Sequence, residues 1–457
     1  MTFLVVILAF SILLALMIQP KVGAYLVWPI VFLYPHLYME RLGLLPWNIG
    51  GDDLFICLFF LIVVVRRNLL GRVPLRLGIS VIGAVAYLVI WTVANFSGWS
   101  LVPELEPEQI YKPILKYVVF VLLTYSLVHT LDDARDLRRV SIAFCVTLTL
   151  AGVTVILQRW FPEPMRIFTT EREEMTRLAL GGVERAIGSL LNPNTACSLL
   201  GMVVVMAVCL SGSLPAGAAK VALLGCIPVL LAAMVFTESR AGALSLSLSL
   251  LAMLLFSRYR RYAWVMGGGL VVAVLLKPDV FLPYWERIVS TYNPVAGQLG
   301  ETAMSRVDIW KRFWETSTPQ IWLLGQGRIA AHYRIGADAH STYVGALFHH
   351  GIAGVVWFLV FFGILVRRGW WLVHHAPQPY RMVASGVMWG LLLWAIAGLT
   401  IDMVVTAPSR FVYLFYAVLL ERGYVLARRR AAPVSLPERL TPYGRPAYAP
   451  LRMPPAG

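Results

Sequence analysis

The sequence predicts an all-α polytopic membrane protein of about twelve transmembrane helices, and three observations carry that prediction. Of 457 residues, 59% are hydrophobic and only 14% charged, whereas soluble domains hold roughly 45–50% apolar and about 25% charged residues. Mean hydropathy is +0.72. Apolar runs near spanning length recur from the first residues to position 426. Such a chain cannot be a water-soluble enzyme, because apolar surface on this scale must be solvated by lipid.

A spanning helix needs roughly 20 mostly apolar residues. Candidate spans run approximately over 3–19, 22–38, 53–65, 77–97, 113–131, 140–157, 193–211, 219–237, 241–256, 262–276, 341–366, 382–402 and 409–426. The first three are short, and the Gln19-Pro20-Lys21 connection is tight. The count is therefore twelve or thirteen, the smaller number making one of them re-entrant or tilted. No charged n-region or small-residue cleavage site precedes the first run, so it reads as an anchor.

Charge sets the sidedness. The net charge of +15 comes from 39 Lys and Arg against 24 Asp and Glu. In a soluble chain that excess would suggest nucleic acid; here it suits cytoplasmic loops, and no nucleic-acid partner is expected. Arg66, Arg67, Arg72 and Arg76 fall in one loop, and Arg135, Arg138 and Arg139 in the next but one. Arg258, Arg260 and Arg261, then Arg367, Arg368 and Arg381, and finally Arg422, Arg428, Arg429 and Arg430 continue the alternation. Placing all of these in the cytoplasm is self-consistent from residue 66 onward. Loops 158–192 and 277–340 are then external, and the side of the N-terminus depends on how many of the first three runs span.

Within a helical domain over 1–430, the two external loops are the long interruptions. The tail 431–457 carries seven prolines and is expected to be a disordered cytoplasmic extension. Cys57, Cys145, Cys197, Cys209 and Cys226 all lie in apolar runs without CxxC spacing, as small buried hydrophobes do. There is no internal repeat or inverted pair of broken helices, which removes one pointer to a transporter.

Three polar segments stand at the edges of apolar runs. The first is Thr237-Glu238-Ser239-Arg240-Ala241-Gly242, a very short external turn. Arg240 reads either as a snorkelling interfacial arginine or as an anion-binding guanidinium on a rigid turn, reinforced by the following helix N-terminus. The second is Asp338-Ala339-His340-Ser341-Thr342-Tyr343, where the large loop re-enters the membrane. His340, with an ordinary pKa near 6.5, reads as a proton acceptor or as an interfacial or capping histidine. Ser341 is an ordinary N-cap. The third runs from Arg185 through Gly188 to Asn192-Pro193-Asn194; the Asn-Pro-Asn is a turn and helix start, and Arg185 alone could be a surface charge.

Other polar groups say less. Gly51-Asp52-Asp53 reads as helix capping and not as a metal-binding DxD. The pairs His349-His350 and His374-His375 are adjacent in sequence, so their side chains diverge on a helix and neither pair forms a ligand set. There is no Walker loop or dinucleotide fingerprint. No metal and no cofactor are expected.

Together these segments resemble the O-antigen ligase and O-antigen polymerase superfamily of bacterial membrane proteins. The ligase signature is His, then Asn, Ser or Gln, nine residues, Gly, two residues, and Gly, Thr or Tyr. Here His340-Ser341 is followed by Thr342 to His350, then Gly351, Ile352, Ala353 and Gly354. Arg306 to Trp310 is similar to the family's Arg-x-x-x-Trp segment, and Gly325-Gln326-Gly327 to its Gly-x-Gly turn. Thr237 to Arg240 is similar to the Ser/Thr-Arg segment, and Arg185-x-x-Gly188 with Asn192-Pro193-Asn194 to another shared motif. The resemblance spans roughly residues 180–365, and Ser341 stands where many relatives carry Asn.

The resemblance implies a GT-C-like glycosyltransferase in a bacterial inner membrane with its site on the periplasmic side. Its donor would be a glycan on undecaprenyl diphosphate, and its acceptor a hydroxyl of lipid A–core. It implies that Arg240, Arg306 and Arg185 bind the diphosphate and that His340 is the catalytic base, in a metal-independent, inverting displacement. Arginine suits that task because its planar fork grips phosphate bidentately and stays charged. A polymerase extending a lipid-linked glycan, or a ligase acting on a protein hydroxyl, would share this chemistry and differ in acceptor. A transporter of lipid-linked sugars would instead need charged residues around a mid-membrane cavity; most charges here lie in loops, with Asp402 an exception near a helix end.

Overall fold

A computed structural model describes residues 11–33, 50–71, 77–165, 168, 186–190, 192–212, 214–256, 259–276, 282, 292–293, 298–299, 301–403 and 407–431. After a helix over 11–18 come α1 (Lys21–Phe32), α2 (Gly51–Val63), α3 (Ile79–Leu101), α4 (Pro107–Thr130) and α5 (Ala134–Trp160). Next are α6 (Pro193–Ser211), α7 (Ala218–Phe236), α8 (Arg240–Phe256) and α9 (Arg260–Leu276). Then come α10 (Glu301–Glu315), α11 (Pro319–Leu324), α12 (Arg328–Ile335), α13 (Thr342–His375), α14 (Gln378–Ala397) and α15 (Ala407–Ala431). A two-residue antiparallel pair, Tyr292–Asn293 with Gln298–Leu299, is the sheet among the described residues.

The molecule is an all-α polytopic membrane protein. Among the described residues, α3, α4, α5, α6, α7, α13 and α14 are long and apolar enough to cross a bilayer, and α1 and α8 are shorter apolar helices. Each predicted apolar run overlaps a helix where it is described, and α6 has the predicted limits. Other edges differ: α4, α5 and α14 start at Pro107, Ala134 and Gln378, ahead of 113, 140 and 382, and α14 ends at Ala397, short of 402. The run predicted at 341–366 continues as helix to His375, because Arg367 and Arg368 are good helix formers. The loop predicted at 277–340 contains α10, α11 and α12. The tail 432–457, and much of the 158–192 loop, lie outside the described residues.

Helix starts follow their caps. The Asn192 side chain accepts from the Asn194 and Thr195 amides, with Pro193 at the first helical position of α6, a pairing that uses the otherwise orphaned N–H groups. Asp133 caps α5 by accepting from Asp136 N at 2.7 Å. Asp53 accepts from Gly50 N at 3.0 Å, the expected capping role, and also pairs with Lys116.

In lipid the apolar effect gives helices little reason to associate, so close packing around small residues matters more. α6 is buried along most of its length and packs between α5, α7, α8 and α14. Its neighbours approach at Gly152, Gly201 and Gly386, where an added Cβ would lie 3.0–3.3 Å from Ala233, Leu393 and Met206 respectively. Trp28, Phe144 and Phe415 form an aromatic knot between α1, α5 and α15. Of the cysteines, Cys145, Cys197, Cys209 and Cys226 are buried, as expected. Cys57 is exposed on α2, because a thiol in an apolar run is equally at home facing lipid.

One cluster of charges marks one end of the bundle. Lys21 reaches Asp136 at 2.6 Å, Arg67 reaches Asp132 at 2.7 Å, and Arg422 Nε donates to Leu131 O at 2.8 Å. Ser80 N donates to Glu421 at 2.6 Å. The start of α3 and the ends of α4 and α15 therefore share this end. At the other end, the last turn of α3 packs on residues 326–330, and Thr342 at the head of α13 bonds the 398–403 turn after α14.

Candidate active site

The site is built at the end of the bundle away from the Lys21, Arg67 and Arg422 cluster. Its first element is the Thr237-Glu238-Ser239 turn. Ser239 Oγ donates to Asn194 Oδ1 at 2.9 Å and accepts from Gly242 N at 3.3 Å, so it caps α8 and fixes Arg240 as the first residue of that helix. Gly242 is required there: a Cβ would meet Cys197 at 2.5 Å. The chain entering α6 is tied to the same turn, since Ala186 N donates to Phe236 O at 3.3 Å. Ile187 N and Gly188 N both donate to Gln158 Oε1, at 2.7 and 2.8 Å. Arg185 itself lies outside the described residues.

The second element is α10. Its Ile309 and Phe313 join Ile321, Ala331, Ile335, Ala339 and Phe348 in a small apolar core separate from the main one. Positions three and four apart share a helix face, so burying Ile309 and Phe313 orients the first turns of α10. Trp310 Nε1 donates to Ala339 O at 2.7 Å, tying the Arg306 helix directly to the residue before His340.

The third element is the His340 loop. His340 is exposed and has φ 50°; with Glu238 at φ 48°, it is one of two non-glycine residues with positive φ among those described. A left-handed backbone costs a non-glycine residue free energy and tends to occur where surrounding contacts impose it for function. Both residues stand in the segments that carry the candidate chemistry. On one side of His340, Arg328 holds Asp338 through two hydrogen bonds, Nε to Oδ1 at 3.1 Å and Nη2 to Oδ2 at 2.7 Å. On the other side, Ser341 Oγ donates to Gly398 O at 3.2 Å and Thr342 Oγ1 donates to Ile401 O at 3.0 Å. Ser341 also caps α13 by accepting from Val344 N, as its position predicts.

The motif glycines have a backbone explanation. α13 is broken at Gly351, which has φ 66° and ψ −169°. The break leaves carbonyls without their helical partners, and the Gly325-Gln326-Gly327 turn supplies them: Gln326 N donates to Phe348 O at 3.2 Å, and Gly327 N to His349 O at 2.9 Å. An added Cβ on Gly351 would meet Leu323 O at 2.5 Å, and one on Gly325 would meet His349 O at 2.4 Å. Two chain segments pass so closely that only glycine fits at either place.

Electrostatics link the three elements. Burial, and then the neighbouring positive charge of Arg240, lower the Arg306 pKa. Partial desolvation of the imidazole by the surrounding protein, and then the charge of Arg306, lower the His340 pKa, against an opposing pull from Asp338. His340 is thus held neutral at neutral pH, and Arg306 interacts with both Arg240 and His340. Both guanidinium groups sit in a half-buried setting, where neighbouring charges act strongly on one another. Among the described residues no cluster of three or more His, Cys, Asp or Glu could hold a metal ion.

The family model described as O-antigen ligase matches residues 221–359. That segment is similar to the O-antigen ligase superfamily. The match opens inside α7, takes in α8 to α12, and closes just past the Gly351 break, so Arg240, Arg306 and His340 all fall within the O-antigen ligase segment. Arg185 precedes it. Among curated proteins, none matches this chain. The O-antigen ligase match supports a lipid-linked glycan ligase or polymerase kind of function in a multi-pass membrane enzyme.

Sequence reasoning named Asp338 in the His340 segment and did not pair it with Arg328. They lie ten residues apart across a helix and a turn, a spacing with no local pattern to betray the pairing. His349 and His350 diverge as expected: the His349 Nδ1 is 3.7 Å from Asp402 Oδ2, while His350 contacts Tyr87 and Trp91.

Proposed function

We propose that the chain is a membrane glycosyltransferase of the O-antigen ligase type, moving a glycan from undecaprenyl diphosphate to a hydroxyl of lipid A–core. The reaction takes place on the periplasmic side of a bacterial inner membrane, at the end of a GT-C-like helical body that carries Arg240 and His340. The observation that supports this reading most is the chain of interactions from Arg240 through Arg306 to His340. Two guanidinium groups near an imidazole match a reaction in which a diphosphate leaves and a hydroxyl loses its proton.

His340 takes the acceptor proton as the acceptor oxygen attacks the anomeric carbon. The bond from that carbon to the diphosphate oxygen breaks on the opposite face, so the anomeric centre inverts. Arg240 and Arg306, with Arg185, bind the diphosphate and stabilise the charge that grows on it. The donor also offsets the repulsion between the two arginines, and so raises the His340 basicity at the moment it is used. The strained backbone at His340, braced by Arg328–Asp338 and Trp310–Ala339, presents the imidazole without waiting for the loop to order.

Purified protein given lipid-linked glycan with lipid A–core, with a second lipid-linked unit, or with a protein acceptor tests the reading. Transfer to lipid A–core is expected, and loss of it in His340→Ala with normal accumulation in the membrane. Transfer only to the lipid-linked unit or only to protein would assign the polymerase or protein-ligase alternative. Movement of the lipid-linked sugar across vesicles without covalent transfer would assign a transporter.

A further inference from the structure

Away from His340, the described residue most in need of explanation is Arg410, in the first turn of α15. Its guanidinium lies 4.3 Å from the Tyr117 ring centre, 4.8 Å from that of Phe120 and 5.9 Å from that of Trp91. It borders a cavity between α3, α4, α13, α14 and α15, whose wall includes Tyr87, Tyr117, Trp357, Trp394 and Tyr413. Aromatic faces attract a cation but do not neutralise it. The nearby carboxylate, Asp402, is set against His349.

Four polar groups on this wall have no hydrogen-bond partner among the described residues: Tyr117 Oη, Trp394 Nε1, Arg410 Nε and Tyr413 Oη. Trp394 is fully buried and Tyr413 is 5% exposed, so bulk water does not serve them. Inside a helical bundle, orphaned donors beside an ionised side chain mark a functional site. The missing group must offer several acceptor oxygens and negative charge, which describes a phosphate. It must also tolerate aromatic and aliphatic walls. Val121, Trp357 and Leu414 are only partly buried, so the cavity reaches the outer surface of the helical body, where lipid lies.

We infer that this cavity is a second anion site, binding the phosphate headgroup of a membrane amphiphile at Arg410, Trp394 and Tyr413. Its lining comes from α3, α4, α13, α14, α15 and Met403, and includes no residue of α8 or α10, which carry Arg240 and Arg306. The assignment stands on the cavity and its donors, and does not depend on glycan transfer.

Native mass spectrometry of the full chain in a non-ionic detergent, titrated with dodecyl phosphate, tests it. The Arg240→Gln background confines the reading to the cavity. Binding is expected there, weakened roughly tenfold or more by Arg410→Gln, since a charge-assisted bond is lost. Tyr413→Phe, which keeps the ring and its volume, is expected to weaken binding about threefold to tenfold for one lost hydrogen bond. Inorganic phosphate at the same concentration should fail to compete. Affinity unchanged by Arg410→Gln would overturn the site. If that variant does not fold, unchanged affinity in Tyr413→Phe overturns it instead. Equal competition by inorganic phosphate would overturn the amphiphile.

Discussion

Arg328 grips Asp338 with both arms of a planar fork, at 3.1 and 2.7 Å, two residues before His340. The pair holds the Asp338 pKa down to about 2. The relationship converts a helix, α12, into a brace for the loop that carries the imidazole.

Replacing Arg328 by Lys keeps the charge and loses the bidentate geometry. The expected outcome is a fall in kcat of about tenfold with little change in protein yield, because hydrogen bonds to charged groups are worth about 1.5–3 kcal/mol when intact and part of that is solvent-screened here. The brace should also weaken in acid. The folded-state pKa of Asp338 is depressed, so its contribution is present above the unfolded value and is lost as pH falls from about 4 toward about 2. Thermal unfolding of wild type and Asp338→Asn between those limits checks this; parallel pH curves would contradict it.

The pH profile of transfer should report the neighbouring charges. A base is inactive when protonated, so kcat/KM falls on the acid side of the His340 pKa, which lies below 6.5. Arg306→Gln removes a positive charge that holds that pKa down. The acid limb should therefore move to higher pH in Arg306→Gln, apart from any loss of rate. Profiles measured at sub-saturating donor give the answer, and an acid limb that stays in place would break the proposed contact.

The sequence shows where the helices are and leaves obscure what bends them. Spans such as Pro193–Ser211 are legible because Asn192 and Pro193 mark the start and continuous apolar residues fill the rest. The break at Gly351 is invisible to hydropathy, which averages over it. Arg240 and His340 are legible as polar residues at apolar edges. Their approach through Arg306 depends on Ile309, Phe313 and Phe348 finding one another, and nothing local announces that. Arg410 is hidden in the same way, a single charge at the edge of an apolar run whose importance comes only from the walls around it.

Gly351→Ala is expected to destabilise the Gly325–Gly327 contact more than its size suggests. The new methyl would have to displace the Leu323 carbonyl, 2.5 Å away, in a left-handed backbone that alanine resists; together these cost about 1–3 kcal/mol. Hydrogen exchange should then rise at the Gln326 and Gly327 amides, which donate across the break. Unchanged protection there would mean that the glycine is not needed for the turn.

Transfer should persist in excess chelator. The proposed chemistry neutralises the diphosphate with arginine, and a loss of activity rescued specifically by a divalent ion would contradict it.

Arg240→Lys separates geometry from charge at the diphosphate. The Ser239 cap and the close Gly242–Cys197 contact fix the backbone of Arg240, so the variant should fold and leave the turn unchanged. A lysine ammonium is a point charge and cannot bind two phosphate oxygens through a fixed fork. If Arg240 holds the leaving diphosphate, the loss should fall mainly on kcat, by about tenfold to a hundredfold, because charge on that group is greatest as the anomeric bond breaks. A rise in donor KM with kcat intact would place Arg240 in ground-state binding alone, and wild-type kinetics in both would reduce it to an anchor at the membrane boundary.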